Sequence, residues 1–103
     1  MMKWNQFVNG DCFDVMKDID YGSVDLVFTS PPDISQTDFG NNIDAYKTFQ
    51  QRACKSFSRM AKDDGFVLIA QTDRKINGEI LPNHITYYQA MVNYGWKLKD
   101  YKI

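Results

Sequence analysis

Two short apolar runs on either side of an amphipathic segment constrain the fold of this chain more than any other feature. Residues 24–29 (VDLVFT) and 66–70 (FVLIA) are nearly all apolar, which is typical of strands buried on both faces of a parallel sheet. Between them, apolar side chains recur at helical steps of three and four residues: Tyr46, Phe49, Ala53, Phe57 and Met60. A strand, a helix and a second strand of these lengths predict a parallel pair joined by a crossover, and hence an α/β fold.

The rest of the chain extends this alternation of strands and helices. The pattern predicts strands at residues 6–8 and 96–103, helices at residues 12–19 and 83–94, and N-caps at Asp11, Asp44 and Asn83. The first helix is expected to bury Cys12, Val15, Met16 and Ile19, and the last Ile85, Tyr88 and Val92. Residues 33–43 and 71–82 are predicted loops, and Asp63-Asp64-Gly65 is a predicted turn. We therefore expect one α/β domain over residues 1–103, with a mostly parallel sheet and flanking helices.

Three of the predicted connections fall at the same edge of this sheet. They are the Gly10-Asp11 corner, residues 29–33 and residues 71–75. In parallel α/β sheets, ligands bind at the edge formed by the carboxyl ends of the strands. The pattern therefore places the functional site at this edge before any chemistry is considered.

Composition and residue counts exclude several classes of function. A chain of 103 residues holds one domain with a modest core, and no apolar run approaches the roughly 20 residues that span a bilayer. The first five residues lead into no apolar signal segment. Two cysteines make no disulfide framework, and a single histidine supports neither a histidine-based metal site nor a Ser-His-Asp triad. We expect a cytoplasmic protein that binds neither a metal nor a membrane.

The formal net charge of −1 conceals an uneven distribution of charge. Residues 1–44 carry eight aspartates and two lysines, whereas residues 45–103 carry ten basic and five acidic side chains. The acidic half suits a cationic small molecule, and the basic half is able to face phosphate. On the predicted helix, Lys47, Arg52, Lys55, Arg59 and Lys62 lie off the apolar stripe. Contact with phosphate and simple solvation both explain these basic side chains.

The segment Thr29-Ser30-Pro31-Pro32-Asp33 carries the most chemical information. Its prolines fix φ and donate no backbone hydrogen bond, which leaves carbonyl groups free to point into a cleft. A serine oxygen and a proline carbonyl together can accept both protons of a planar amino group. This favours the pyramidal form, whose lone pair can attack an electrophilic methyl group, so the effect is one of positioning and electrostatics. The structural alternative is a strand that the prolines simply terminate.

In this segment and its context the chain resembles the amino-methylating, S-adenosylmethionine-dependent DNA methyltransferases, which act on N6 of adenine or N4 of cytosine. The shared features are Gly10-Asp11, a short helix after it, and the run from Ser23 to Pro32 that ends in Ser-Pro-Pro. The order of the motifs is that of the family's permuted group. The Asp64-Gly65 turn and Gly95-Trp96 also look like family elements.

The resemblance implies a Rossmann-like methyltransferase fold, S-adenosylmethionine as cofactor, and DNA as substrate, as in restriction-modification. It implies that Ser30, Pro31 and Pro32 orient the amine of a flipped base and that Asp33 lies beside it. Asp11 and Thr29 would line the cofactor. Asp11 is also a predicted helix cap, and the two roles can coexist.

Two departures from the family pattern limit what this chain is expected to do alone. Asp33 stands where the family usually has an aromatic ring that stacks on the flipped base, so that ring is missing unless Phe39, Tyr46 or another aromatic side chain supplies it. No Gly-x-Gly loop occurs, because the six glycines are at least twelve positions apart. We therefore expect the N-terminal catalytic part of a longer or split enzyme, inactive alone and without a target-recognition region, that pairs with itself or with a second methyltransferase chain.

Two other functions remain open at this stage. One is a non-enzymatic remnant that binds DNA or a partner methyltransferase chain. The other retains the methyl-transfer chemistry but takes RNA or the amide of a protein glutamine as its substrate, since both present a similar planar nitrogen.

Overall fold

A computed structural model describes residues 5–100 of the chain as a small α/β domain. The helices are α1 (Cys12–Lys17), α2 (Ile43–Met60) and α3 (Asn83–Asn93), with a short 3₁₀ helix at Ile34–Gln36. The strands are β1 (Val24–Thr29), β2 (Ala61–Ile69), β3 (Arg74–Ile76) and β4 (Glu79–Leu81). The predicted α/β class is confirmed at the level of a two-stranded parallel sheet with flanking helices.

Strands β1 and β2 are parallel neighbours joined by α2, as the sequence predicts. Their register pairs Leu26 with Phe66 and Thr29 with Ile69. The predicted turn at residues 63–65 is wrong, because β2 begins at Ala61 and runs through it, with an irregularity in the pairing opposite residues 24–26. Gly65 fits this close approach because a Cβ there would lie 2.8 Å from the Asp25 carbonyl oxygen.

All three helices pack against one face of this sheet. One buried cluster joins α1 to α2 and contains Phe13, Ala53, Phe57 and Met60. A second joins α2 to α3 and contains Cys54, Tyr87, Ala90 and Met91. Val67 and Ile69 of β2 pack against both clusters, so the structure has two layers, one of helices and one formed by the sheet.

The opposite face of the sheet is open, and the prediction of strands buried on both faces is wrong. Leu26 and Phe28 of β1 are 52% and 70% exposed, and Phe66 and Leu68 of β2 are 59% and 48% exposed. No element within residues 5–100 covers these four side chains. These four side chains form the open face of the sheet.

Several predicted elements differ from the structure in extent or in the face that they bury. Residues 6–8 form no strand and Phe7 is fully exposed, while α1 ends at Lys17 and buries Phe13 rather than Cys12. The predicted loop at residues 71–82 contains the antiparallel β3–β4 hairpin, and the loop at residues 33–43 contains the 3₁₀ helix. Residues 96–100 form no strand, and the end of that predicted strand, residues 101–103, lies outside the described residues.

Helices α2 and α3 also differ from prediction at their N-termini. Asn42, and not Asp44, caps α2, since its side-chain oxygen accepts from the Ala45 amide at 3.1 Å. Asn83 is fully buried rather than a cap. Helix α3 turns Tyr87, Ala90 and Met91 inward and leaves the predicted face exposed, because the small Ala90 allows close contact with α2.

No helix within residues 5–100 has the length and apolar character needed to cross a membrane.

Candidate active site

The Ser-Pro-Pro segment leaves β1 at the carboxyl end of the parallel sheet, as predicted. The Thr29 carbonyl accepts from the Ala70 amide at 2.9 Å, which extends the strand pairing to the end of β1. Pro31 is buried, whereas Ser30 is exposed and its hydroxyl has no hydrogen-bond partner within residues 5–100. The serine oxygen is therefore available to a ligand at this edge.

Tyr46 holds the Ser-Pro-Pro segment in place through hydrogen bonds of its hydroxyl group. Its hydroxyl donates to the Pro32 carbonyl at 2.8 Å and accepts from the Gln71 amide group at 3.3 Å. The tyrosine side chain is completely buried, and burial, followed by the nearby charge of Asp33, raises the pKa of Tyr46 to about 12. Tyr46 therefore remains a neutral donor at physiological pH. Of the two proline carbonyls, that of Pro32 has a hydrogen-bond partner within residues 5–100, whereas none is seen there for that of Pro31.

Asp33 is engaged by its own neighbours. Its Oδ2 lies 2.9 Å from Nη1 of Arg74 and accepts from the Ser35 hydroxyl at 3.1 Å. Its backbone amide donates to Oε1 of Gln36 at 2.9 Å. Oδ1 is buried without a hydrogen-bond partner in the described part of the chain. Of the two carboxylate oxygens, Oδ1 is thus the one without a hydrogen bond, and it is buried.

A pair of buried amides lies between the helices behind this loop. Gln50 donates from Nε2 to Oδ1 of Asn83 at 3.0 Å, and both side chains are 0% exposed. Asn83 in turn donates from Nδ2 to the Thr72 carbonyl at 3.0 Å. The pair ties α2 and α3 to the segment after β2, which carries Gln71.

Most of the contacts that hold the motif loop were not predicted from the sequence. Gln50 occupies a position in the apolar stripe of α2, four residues after Tyr46, and a polar side chain there was a readable signal of a buried hydrogen bond. Asn83 was misread as a cap. Arg74 is 41 positions from Asp33, and nothing in the sequence pattern connects them.

An aromatic cluster packs beside the site but leaves no ring of Tyr46 for stacking. Tyr46 and Phe49 are stacked at a centroid distance of 6.2 Å, and Phe39 lies 6.4 Å from Tyr46 and 6.0 Å from Phe49. Of the rings considered for stacking on a base, that of Tyr46 is enclosed in the core. Phe39 and Phe49 are only partly buried.

The residues expected to line the cofactor do not form a complete site for S-adenosylmethionine. Asp11 caps α1: its Oδ1 accepts from the amides of Phe13 and Asp14 at 2.9 and 3.3 Å. Thr29 is half-buried, and its carbonyl is used in the strand pairing. The chain has no glycine-rich loop whose amides could bind the rest of such a molecule. The group therefore does not fit these residues alone.

Two of the three predicted loops meet at the sheet edge. Residues 29–33 contact residues 71–75 through Arg74 and through Tyr46 with Gln71, whereas no recorded hydrogen bond within residues 5–100 brings Asp11 to them. No group of three His, Cys, Asp or Glu side chains in that range is arranged to hold a metal ion.

No protein-family model, curated protein or solved structure matches the chain.

The buried tyrosine predicts a specific loss of stability at alkaline pH. The folded-state pKa of Tyr46 is raised above its unfolded value of 10.0, so this contribution is complete below pH 10 and is lost as pH rises toward about 12. We expect Tyr46→Phe to cost about 1 kcal/mol at pH 8, from the lost hydrogen bonds. The deficit should shrink by pH 11, because phenylalanine does not ionise.

Urea unfolding at pH 8, 10 and 11 measures this effect. Tyr88→Phe is the matched control, since Tyr88 is 47% exposed and its replacement should change the free energy of unfolding by less than about 0.5 kcal/mol. A Tyr46→Phe deficit that stays constant or grows with pH would contradict the assignment of a buried, neutral hydroxyl.

Proposed function

We propose that this chain is the amine-orienting part of an S-adenosylmethionine-dependent DNA amino-methyltransferase with a Rossmann-like fold. The observation that carries the proposal is the free hydroxyl of Ser30 at the carboxyl end of a parallel strand, beside a proline loop that Tyr46 holds in place. The substrate would be the exocyclic amine of a flipped cytosine or adenine.

Each motif residue has a distinct part in this proposal. Ser30 Oγ and the Pro31 carbonyl accept the two amine protons and favour the pyramidal nitrogen. Tyr46 occupies the Pro32 carbonyl at 2.8 Å, which prevents the loop from turning that group toward the ligand. Fixing the acceptors in advance avoids reorganisation during the reaction, which is the main source of electrostatic catalysis. Asp33 lies beside the amine, and Arg74 balances its charge.

In this proposal, the site for the methyl donor is completed from outside the described residues. Asp11 and Thr29 would contribute its edge, and a glycine-rich loop would come from a second methyltransferase chain or from another part of the same polypeptide. The open face supports such pairing, since four large apolar side chains lie uncovered on the sheet that carries the motif.

Measuring the chain alone and in combination tests the proposal. Calorimetry of the purified chain with S-adenosylmethionine should give no binding heat, and the chain should not label DNA from a tritiated donor. Mixing with a methyltransferase chain that carries the glycine-rich loop should restore both. Methylation by the chain alone at an ordinary enzyme rate would contradict the proposal, as would an inactive mixture in which the two chains demonstrably bind.

A prediction about association follows from the open face. We expect the purified chain to self-associate in the absence of a partner, and Phe28→Ser to weaken this association at least tenfold, since Phe28 is 70% exposed there. Sedimentation equilibrium measures both. Tyr21→Ser is the control, because Tyr21 is 80% exposed but lies outside the sheet. A wild-type chain that stays monomeric at high concentration would contradict this prediction.

A second candidate function is a non-enzymatic subunit that binds DNA or a methyltransferase chain. The ion pair of Asp33 with Arg74 favours it, because this pair occupies the position where the family carries a stacking ring. The reconstitution above separates the two candidates: a non-enzymatic subunit binds its partner, but Ser30 has no effect on the methylation rate.

A further inference from the structure

A small open pocket lined by cationic side chains lies between α1 and α2. Its volume is about 60 Å³, and its lining residues are Phe13, Met16, Lys17, Arg52, Ser56 and Arg59. No carboxylate lines it, although α1 and the segments that flank it are rich in aspartate. A pocket with three cations and no acid among its walls favours an anion.

The two arginines are held in place without a carboxylate partner among residues 5–100. The guanidinium carbon of Arg52 lies 3.9 Å from the centroid of the Phe13 ring, which is a cation–π contact that leaves its N–H groups without a hydrogen-bond partner in the described part of the chain. Arg59 donates from Nη2 to the Met16 carbonyl. Neither arginine forms an ion pair with a carboxylate within residues 5–100, and Lys17 has only a loose pair with Asp14 at 3.8 Å.

Ser56 adds a hydroxyl that the helix does not use. Elsewhere on α2, Thr48 and Ser58 donate to carbonyls four residues earlier, at 3.0 and 2.8 Å. No such bond is recorded for Ser56 in the described structure. Arg52, Ser56 and Arg59 are spaced by four and three residues, which places them on one face of the helix.

We propose that this pocket binds a single phosphate group of a small phosphorylated ligand. Arginine presents parallel N–H groups that match two oxygens of a phosphate, and lysine and serine add point contacts. The pocket is separate from the motif edge: Arg59 lies 13 residues along α2 from Tyr46, about 20 Å away. The backbone carbonyl of Arg59 accepts a hydrogen bond from the Gly22 amide, so this end of α2 lies near the start of β1, whereas the motif follows the end of β1. The proposal is therefore independent of the methyltransferase assignment.

Titration of the ¹⁵N-labelled full chain with phosphate compounds at constant ionic strength tests the proposal. The probes are inorganic phosphate, adenosine 5′-monophosphate and a short DNA duplex at equal phosphate concentration. We expect saturable shifts from inorganic phosphate and from the nucleotide, confined to the amides of residues 13–17 and 52–59.

Matched variants decide whether the pocket is responsible. Arg52→Gln and Arg59→Gln should each weaken phosphate binding at least tenfold, and Arg52→Lys severalfold, since lysine keeps the charge but not the paired donors. Lys47→Gln removes the same charge from an exposed position of α2 outside the pocket and should change binding less than twofold. Arg52 is exposed, so its replacement leaves the fold intact, which circular dichroism checks.

Three results would overturn the proposal. These are the absence of saturable shifts with phosphate, equal weakening by Lys47→Gln, and binding to the duplex alone. The last would make the patch a contact for a nucleic-acid backbone rather than a site for a single phosphate.

Discussion

Replacing Ser30 with alanine should lower methyl transfer by the assembled enzyme at least about a hundredfold. Removing one preorganised hydrogen-bonding group that acts on the reacting centre costs about 10²–10³ in rate in comparable sites. Ser30→Ala removes one of the two acceptors for the amine protons, and the Pro31 carbonyl alone cannot favour the pyramidal nitrogen. The effect should fall on kcat and leave the KM for DNA nearly unchanged, because the interaction strengthens as the nitrogen becomes tetrahedral.

Ser23→Ala is the matched control for this measurement. Its hydroxyl donates to the Asp20 carbonyl at 2.7 Å, just before β1 begins, so the same atom is removed far from the motif. The control should retain nearly full activity. A Ser30→Ala enzyme with wild-type kcat would show that Ser30 does not orient the amine.

Replacing Asn83 with alanine should produce the largest loss of stability among the site residues, about 3 kcal/mol. The substitution removes the acceptor of Gln50 Nε2 and the donor to the Thr72 carbonyl, inside a region where both side chains are 0% exposed. Unsatisfied buried polar groups cost about 1–3 kcal/mol each, and a small cavity adds to that. The midpoint of thermal unfolding should fall by more than about 10 °C.

Asn93→Ala supplies the comparison, because it makes the same change at the exposed end of α3. Urea and thermal unfolding should place it within about 0.5 kcal/mol of the parent chain. An Asn83→Ala chain as stable as Asn93→Ala would mean that the amide pair does not support the site.

The sequence predicted the positions of β1 and α2 closely because each has a strong local signal. Residues 24–29 are mostly apolar and are soon followed by two prolines, and five apolar side chains keep a helical period from Tyr46 to Met60. The parallel pairing followed from the length of the connection. What the pattern could not predict is how many layers cover the sheet, because Leu26 and Phe28 look the same in sequence whether they are buried or exposed.

The misread elements share a second physical cause. Helix α3 has apolar residues on two faces, and only contact with α2 selects the one that carries Ala90. The β3–β4 hairpin has strands of three residues, too short to give an alternating pattern. Tertiary packing decides both cases.

The position of the candidate site could be predicted from the sequence, but the contacts that hold its residues together could not. The motif and the sheet edge came from the sequence, and so did the meeting of residues 29–33 with residues 71–75. The pairing of Asp33 with Arg74 and the anchoring of Pro32 by Tyr46 depend on contacts between distant segments. Gln50 was missed, although a glutamine within an apolar stripe signals a buried hydrogen-bond partner.

The chemical position of the transferred methyl group tests the central claim most directly. The assembled enzyme would be incubated with unmethylated DNA, RNA and a glutamine-containing protein in parallel, each with a labelled donor, and the products digested and identified by mass spectrometry. The proposed function predicts that DNA alone is labelled, as N4-methylcytosine or N6-methyladenine. A methyl group on a ring carbon, or label in RNA or glutamine and none in DNA, would contradict it.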